Sequence, residues 1–441
     1  SFRHCISRSI SSTTSTLILL TEATGMSKQL PKTGEPWDTL SDRLVGLGEN
    51  DIDWRNKRSA VYVFHPGDDV LKVAKDAYAL YQSENALGLA AFSSLKKMET
   101  EVIAIAIDLM NGPESGTGNI TSGGTESIML AVKSCRDEAA SRGMYVDGAN
   151  IVVPHTAHLA FDKATHYLGL EIRRVPVDKE LVADVSAMRE AMDEQTIMLV
   201  GSAPCFPYGL VDPIPALGDL AVETDTWLHV DACVGGYLNP FAELEGIELP
   251  PWDFRVEGVR TISADLHKYG YAAKGASTVL HRTKEQYAHQ SFSADNWPAG
   301  AMTTPTVAGT RPGGAIASAW AVMHYLGVEG YRAKTRSIIN ARTKIEAGIE
   351  TLGLQVFGAP HLGLIAFGAA DGDDLPIYGV WAHLHSCGWF SGVVAEPNGI
   401  HLMLSPSHEE VADDYLSDLT EAVAKARGVA KTGGAADGEA P

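Results

Sequence analysis

Cysteine is scarce: Cys5, Cys135, Cys205, Cys233 and Cys387 are scattered through 441 residues, and no two of them form a CxxC pair. That spacing excludes a disulfide framework and a cysteine zinc site and suits a reducing compartment. Basic residues fall short of acidic ones, 35 against 55, which leaves a net charge of -20. A chain this acidic lacks the basic face that nucleic acid requires, so no nucleic-acid partner is expected. Long apolar runs are missing too. Nothing approaches the ~20 consecutive apolar residues of a membrane-spanning helix; the best candidates, residues 17–20 and 102–110, are short, and Asp108 interrupts the second. A soluble, cytoplasmic protein with no transmembrane segment is the expectation.

What is present is enough apolar residue, 45% of the chain, to bury a large core in one big domain with a smaller one beside it. From about residue 119 to 277, short apolar runs alternate with helical stretches. Strands are expected at 150–153, 172–177, 196–201, 226–230, 258–263 and 276–280. Before them, helices are expected over 68–83 and 96–110, whereas 37–67 shows little periodicity. Strand-helix alternation predicts an α/β fold, a mostly parallel sheet flanked by helices, with its ligand at the strand ends.

Three motifs fall at such junctions. Lys268 follows the β-prone run 259–263 and His267, and Tyr269-Gly270-Tyr271 then bends the chain. A desolvated lysine amine can form a Schiff base with a carbonyl, as lysines that hold pyridoxal phosphate do; the alternative is an ordinary solvated lysine. Asp231 closes the apolar run 226–230, where a carboxylate could keep a pyridine nitrogen protonated or simply cap a turn. Thr121-Ser122-Gly123-Gly124-Thr125-Glu126-Ser127 opens a helix, offering free amides, hydroxyls and two glycines to a phosphate, or else forming a tight turn. His158 sits at the start of another helix and has a plain structural reading as well. His383 and His385 alternate with Leu384, but no nearby acid or cysteine completes a ligand set, so no metal is expected. The loop 202–213 is explained by turn geometry beyond lining a site.

The runs HKYGYAAKG (267–275), HVDACVGG (229–236), TSGGTES (121–127) and AGTRPGG (308–314) resemble, in the same order from about residue 59 to 420, the sphingosine-1-phosphate lyases and, more distantly, the group II pyridoxal-phosphate decarboxylases. The resemblance implies a fold type I transferase-like architecture with pyridoxal 5'-phosphate as cofactor. It assigns cofactor contacts to Ser122, Gly123, Gly124, Thr125, His158 (stacked on the ring), His229, Asp231, His267, Lys268, Gly313 and Gly314. Tyr62, Asn85 and Lys274 become substrate-facing, with Lys274 matching a lysine that meets the substrate phosphate. The loop 306–314 implies a homodimer whose sites are shared across the interface. One departure stands out. The family's Asn-Pro-Leu-His motif reads Asn85-Ala86-Leu87-Gly88 here, so a phosphate-facing imidazole is replaced by Gly88, with His65 as a possible substitute.

The expected organisation is a non-native or processed leader (1–25), an N-terminal arm and helix (26–95), a large cofactor-binding domain (96–314), a small C-terminal α+β domain (315–425) and a disordered tail (426–441). The leader is Ser/Thr-rich with no acid before Glu22, like a transit peptide; an over-long reading frame with Met26 as true start is preferred. Animal relatives carry an N-terminal membrane anchor, so the soluble bacterial type is the expected match. The expected function is lyase cleavage of a carbon-carbon bond beside an amine, in a phosphorylated long-chain amino alcohol. An amino-acid decarboxylase is the alternative, and a catalytically silent cofactor-binding scaffold the third.

Overall fold

The computed structural model describes residues 29–431; the expected leader and the chain beyond 431 lie outside the described residues. Residues up to Ile52 form one unit and those from Asp53 another. In the first, helix α1 (Trp37–Leu47) has no buried residue. This corrects the reading of 37–67 as aperiodic: Trp37, Leu40, Leu44 and Leu47 recur at helical spacing along α1.

In the second unit, α2 (Asp68–Leu80) and α3 (Ser93–Leu109) lead into β1 (Thr117–Thr121), α4 (Gly124–Ser141), β2 (Asn150–Pro154), α5 (Ala160–Leu168) and β3 (Glu171–Val175). The alternation continues through α6 (Val185–Ala191), β4 (Thr196–Ser202), α7 (Ile214–Glu223), β5 (Trp227–Asp231), α8 (Asn239–Leu244), β6 (Val259–Ala264) and β7 (Ser277–His281). These strands make a 7-stranded sheet in the order β1-β7-β6-β5-β4-β2-β3. Neighbours from β3 to β6 pair parallel, while β7 is antiparallel to both β6 and β1.

The apolar runs read as strands are runs because both faces are covered. Side chains alternate along each strand, so Ile151, Val153, Met198 and Val200 meet α4 and α5 through Ile128, Val132 and Phe161. Their neighbours Val152 and Leu199, with Leu228 and Val230, face α3 and α7 on the other side. The expected strands recur within one or two residues, but β1 went unforeseen. It is polar and contains Gly118, whose missing Cβ leaves room for the Val279 carbonyl, 2.2 Å from where that atom would stand.

After β7 come α9 (Lys284–Ala288) and a hairpin of β8 (Phe292–Ala294) with β9 (Met302–Thr304). Helix α10 (Gly313–Thr351) is broken at Gly327, whose φ of 54° is left-handed. Its second half packs on an antiparallel sheet ordered β10 (Leu354–Val356), β11 (Leu364–Ala369), β13 (Asn398–Met403) and β12 (Gly392–Ala395). Helix α11 (Ile377–Ser386) precedes β12, and α12 (Ala412–Lys431) is the last element among the described residues. The disordered tail expected from Ala426 is therefore corrected for 426–431: α12 continues through it because Leu419, Ala422, Val423 and Ala426 present a buried helical stripe. No helix among the described residues is long and apolar enough to cross a membrane.

Candidate active site

Strands β1, β2, β4, β5 and β6 end at one edge of the sheet, and a cavity of about 630 Å³ opens there. Its walls bring together Tyr62, Ser122, Gly123, Gly124, Thr125, His158, Asp231, His267, Lys268 and Lys274, residues spread over more than two hundred positions.

Lys268 lies in the turn after β6. Ala272 N–H reaches back to the Leu266 carbonyl at 3.0 Å, Tyr271 takes a left-handed φ of 57°, and a Cβ on Gly270 would stand 2.5 Å from the Leu266 oxygen. The bend after Lys268 is thus demanded by backbone contact. Lys268 Nζ stands 3.0 Å from Asp265 Oδ2. Burial works to lower its pKa, but the Asp265 carboxylate first, with Asp231 further off, outweighs it and the amine is raised. Burial alone would raise Asp265, and the nearby Lys268 and His267 hold it below the usual carboxylate value instead. Its Oδ1 is buried without a hydrogen-bond partner.

Asp231, at the end of β5, accepts from Cys233 N–H at 3.0 Å and from Ser263 Oγ at 3.2 Å, both at Oδ1. His158 is exposed in the cavity wall, and its Nδ1 accepts the Ala160 amide at 3.1 Å, which fixes the ring at the start of α5. His267 is half-buried; its Nδ1 accepts from Ala276 N–H at 3.2 Å, and burial lowers its pKa. Lys274 Nζ donates to the carbonyls of Tyr62 and His267 at 3.3 and 3.2 Å and lies 5.1 Å from the centre of the Phe64 ring. Burial, then the charge of Lys268, lowers the pKa of Lys274. Tyr62 holds a left-handed φ of 62° with its side chain open to the cavity, uncommon for an aromatic residue and typical of functional loops.

Two expected contacts, His229 and Asn85, do not line this cavity. His229 is fully buried between Thr261, Ser263 and Phe161, behind Asp231. Asn85 spends its Oδ1 on the amides of Leu87 and Gly88 in a local turn. Gly313 and Gly314, expected to reach the cofactor phosphate of the other subunit, lie in this chain against α2 and the turn after it, where a Cβ would meet the Glu84 oxygen at 2.6 Å and the Tyr78 ring at 2.8 Å. His65 packs on Trp54 and pairs with Asp68, and it does not line the cavity. Glu126, inside the run 121–127, and Asp265, two residues before the run 267–275, were missed. Glu126 accepts from Ser122 N–H and Oγ and from the Val307 amide, tying the glycine turn to the loop before α10.

These residues fit pyridoxal phosphate. The first-turn amides of Gly124 and Thr125 have no acceptor within the described residues, the usual state of a helix N-terminus and a ready anion site. A Cβ on Gly124 would stand 2.7 Å from Cys233 Sγ and 3.0 Å from the Asp265 carboxylate, so glycine keeps that cradle open.

A pyridoxal-dependent decarboxylase conserved domain matches residues 22–370. Sphingosine-1-phosphate lyase of Oryza sativa is 40% identical over 403 residues, covering 90% of this chain and 74% of that protein. The chain belongs to the sphingosine-1-phosphate lyase branch of the pyridoxal-dependent decarboxylase family. The solved structure of a Burkholderia pseudomallei sphingosine-1-phosphate lyase superposes with a TM-score of 0.87 at 33% identity, covering 93% of this chain and 95% of that one. A Lactobacillus brevis glutamate decarboxylase shares the fold, with a TM-score of 0.78 at 22% identity over 91% of this chain and 95% of that one. As a member of this lyase family the chain is a pyridoxal-phosphate enzyme of fold type I, as its motifs led us to expect.

Proposed function

We propose that the chain cleaves the carbon-carbon bond beside the amine of a phosphorylated long-chain amino alcohol, releasing a fatty aldehyde and phosphoethanolamine. Pyridoxal phosphate supplies an electron sink for the carbon that loses its bond. Lys268 Nζ is its covalent anchor; Ser122, Gly123, Gly124 and Thr125 cradle its phosphate; Asp231 holds its ring nitrogen; His158 covers its face. Which substrate bond would break depends on how the residues around the cavity grip and orient the rest of the substrate.

The observation that carries the lyase reading is Lys274. It places a second cation in the cavity beside Lys268, anchored by the Tyr62 and His267 carbonyls, and among the described residues no arginine lines that cavity to fork a carboxylate. Lys274 would receive the substrate phosphate, Tyr62 would face the substrate, and Lys268 Nζ, 3.0 Å from Asp265 Oδ2, would be placed to move a proton.

Gly88 favours a second reading, an amino-acid decarboxylase, because losing the family imidazole removes a charge-assisted hydrogen bond worth about 1.5–3 kcal/mol. A Cβ at Gly88 would meet only the Ala91 methyl at 3.9 Å, so the position has room for a side chain that the sequence omits. Incubating the purified protein with a phosphorylated sphingoid base and, separately, with amino acids decides between them. Aldehyde and phosphoethanolamine are expected; carbon dioxide without aldehyde sinks the lyase reading, and bound cofactor with no turnover would point to a silent scaffold.

The active form is a homodimer in this reading. Residues 307–310 are exposed beside the cradle that Glu126 braces, with Val307 64% exposed, and light scattering at working concentration checks it. The cytoplasm is the proposed location, since Cys135, Cys205 and Cys233 are buried free thiols.

A further inference from the structure

His229 was expected to touch the cofactor, yet it is sealed behind Asp231. Trp227, His229 and Asp231 alternate along β5 and share one face of the strand; Thr261 and Ser263 stand opposite His229 and Asp231 on β6. All five are buried, and their polar atoms form one continuous chain. Trp227 Nε1 donates to Thr261 Oγ1 at 2.8 Å. Thr261 Oγ1 is 2.8 Å from His229 Nδ1, His229 Nε2 is 3.2 Å from Ser263 Oγ, and Ser263 Oγ donates to Asp231 Oδ1 at 3.2 Å.

The direction of this chain follows from its first member. An indole N–H can only donate, so Thr261 accepts from it and has its own proton free for His229 Nδ1. That leaves the imidazole proton on Nε2, where it is donated to Ser263, and the serine proton goes to the carboxylate. Burial pushes the imidazole down to about 4, in keeping with a neutral ring that accepts at one nitrogen and donates at the other. Every donor therefore points toward Asp231. With Oδ1 also engaged by the Cys233 amide, among the described residues no donor reaches Oδ2.

We propose that His229 is a positioning residue which, through Ser263, holds Asp231 as an oriented acceptor for the ring nitrogen of pyridoxal phosphate, with Trp227 and Thr261 setting its tautomer. The inference rests on the cofactor and on the role proposed for Asp231, not on the choice of lyase over decarboxylase.

The test loads full-length protein with pyridoxal phosphate labelled with nitrogen-15 in the ring and reads the shift of that nitrogen, a measurement that needs no substrate. In Ser263→Ala and His229→Phe the signal moves toward the unprotonated ring, and turnover on whichever amine the protein accepts falls about ten- to a hundredfold with KM little changed, the scale of one hydrogen bond to a charged group. His229→Gln, which keeps an N–H near the Nε2 position, recovers most of both. Ser263→Ala is small enough to fold if His229→Phe does not, and carries the test alone. A ring-nitrogen signal unchanged from wild type in folded, cofactor-loaded Ser263→Ala overturns the proposal, as does a His229→Gln protein no better than His229→Phe.

Discussion

Removing the carboxylate of Glu99 should cost more stability than removing almost any surface charge, because of where its partner lies. Arg311 and Glu99 are 5% and 7% exposed and form a two-pronged pair, Nη1 to Oε1 and Nη2 to Oε2, the second at 3.0 Å. The pair also serves the backbone: Ile120 N–H donates to Glu99 Oε1 at 2.9 Å, and the Ile120 carbonyl accepts from Arg311 Nη1 at 2.9 Å. Strand β1 is an edge strand, so these two side chains stand where a further strand would satisfy its free groups. Arg311 Nε is already buried without a partner. Glu99→Ala would leave a buried guanidinium with the Ile120 carbonyl as its main acceptor, a loss of about 3–5 kcal/mol. Arg311→Met should lose less, since Glu99 keeps the Ile120 amide and Asn119 Nδ2 at 3.4 Å. The Glu99→Ala, Arg311→Met double variant strands the Ile120 groups at about 1 kcal/mol each but buries no lone charge, so it should be more stable than Glu99→Ala. Urea unfolding of the cofactor-loaded variants measures all three, and their midpoints give the coupling. The reasoning is refuted if Glu99→Ala loses less than about 1 kcal/mol or if the double variant loses the sum of the single changes.

Gly124→Ala should stay folded and lose cofactor affinity, since the new methyl enters the cradle between Cys233 Sγ and Asp265; fluorescence titration with pyridoxal phosphate reads it, and unchanged affinity rejects the cradle. Lys274→Met should raise KM for a phosphorylated substrate about ten- to a hundredfold, the scale of one charge-assisted contact, and abolish the preference over its dephosphorylated analogue; a preference that survives removes Lys274 from that role. Stability should also fall in mild acid. Burial lowers His229, His281, His401 and His408 to about 4 each, below the unfolded value, so their stabilisation is intact above about pH 6.5 and is lost as pH falls toward 4, up to about 3 kcal/mol apiece. Asp212 opposes them: burial raises it to about 6, so its contribution is present at low pH and lost as pH rises through 6. With four imidazoles against one carboxyl, the melting temperature should be lower at pH 5 than at pH 7, and equal values refute the balance.

Lys268, Asp231 and the glycine turn at 121–127 could be read from the chain because each sits where a strand ends, and a strand end is a local property written in a short run of residues. The buried strands were legible for the same reason: covering both faces turns them into apolar runs without polar interruption. Strand β1 was not, because its pairing depends on the absence of a side chain at Gly118 against β7, a contact between residues far apart in the chain.

Which motif residues do chemistry and which only support it was a matter for the tertiary structure. His229 and Asp231 are two positions apart on one strand, yet one lines the cavity and the other is sealed behind it. Gly313 and Gly314 share the run 308–314 with the exposed residues 308–310, and in the fold their lack of a side chain admits α2 and the turn after it. Residue types and order along the chain identify the cofactor, because its anchors are short patterns. Depth, neighbours and hydrogen-bond direction arise only when β5 and β6 lie side by side and Arg311 reaches Glu99 across the fold, and those decide what each residue does.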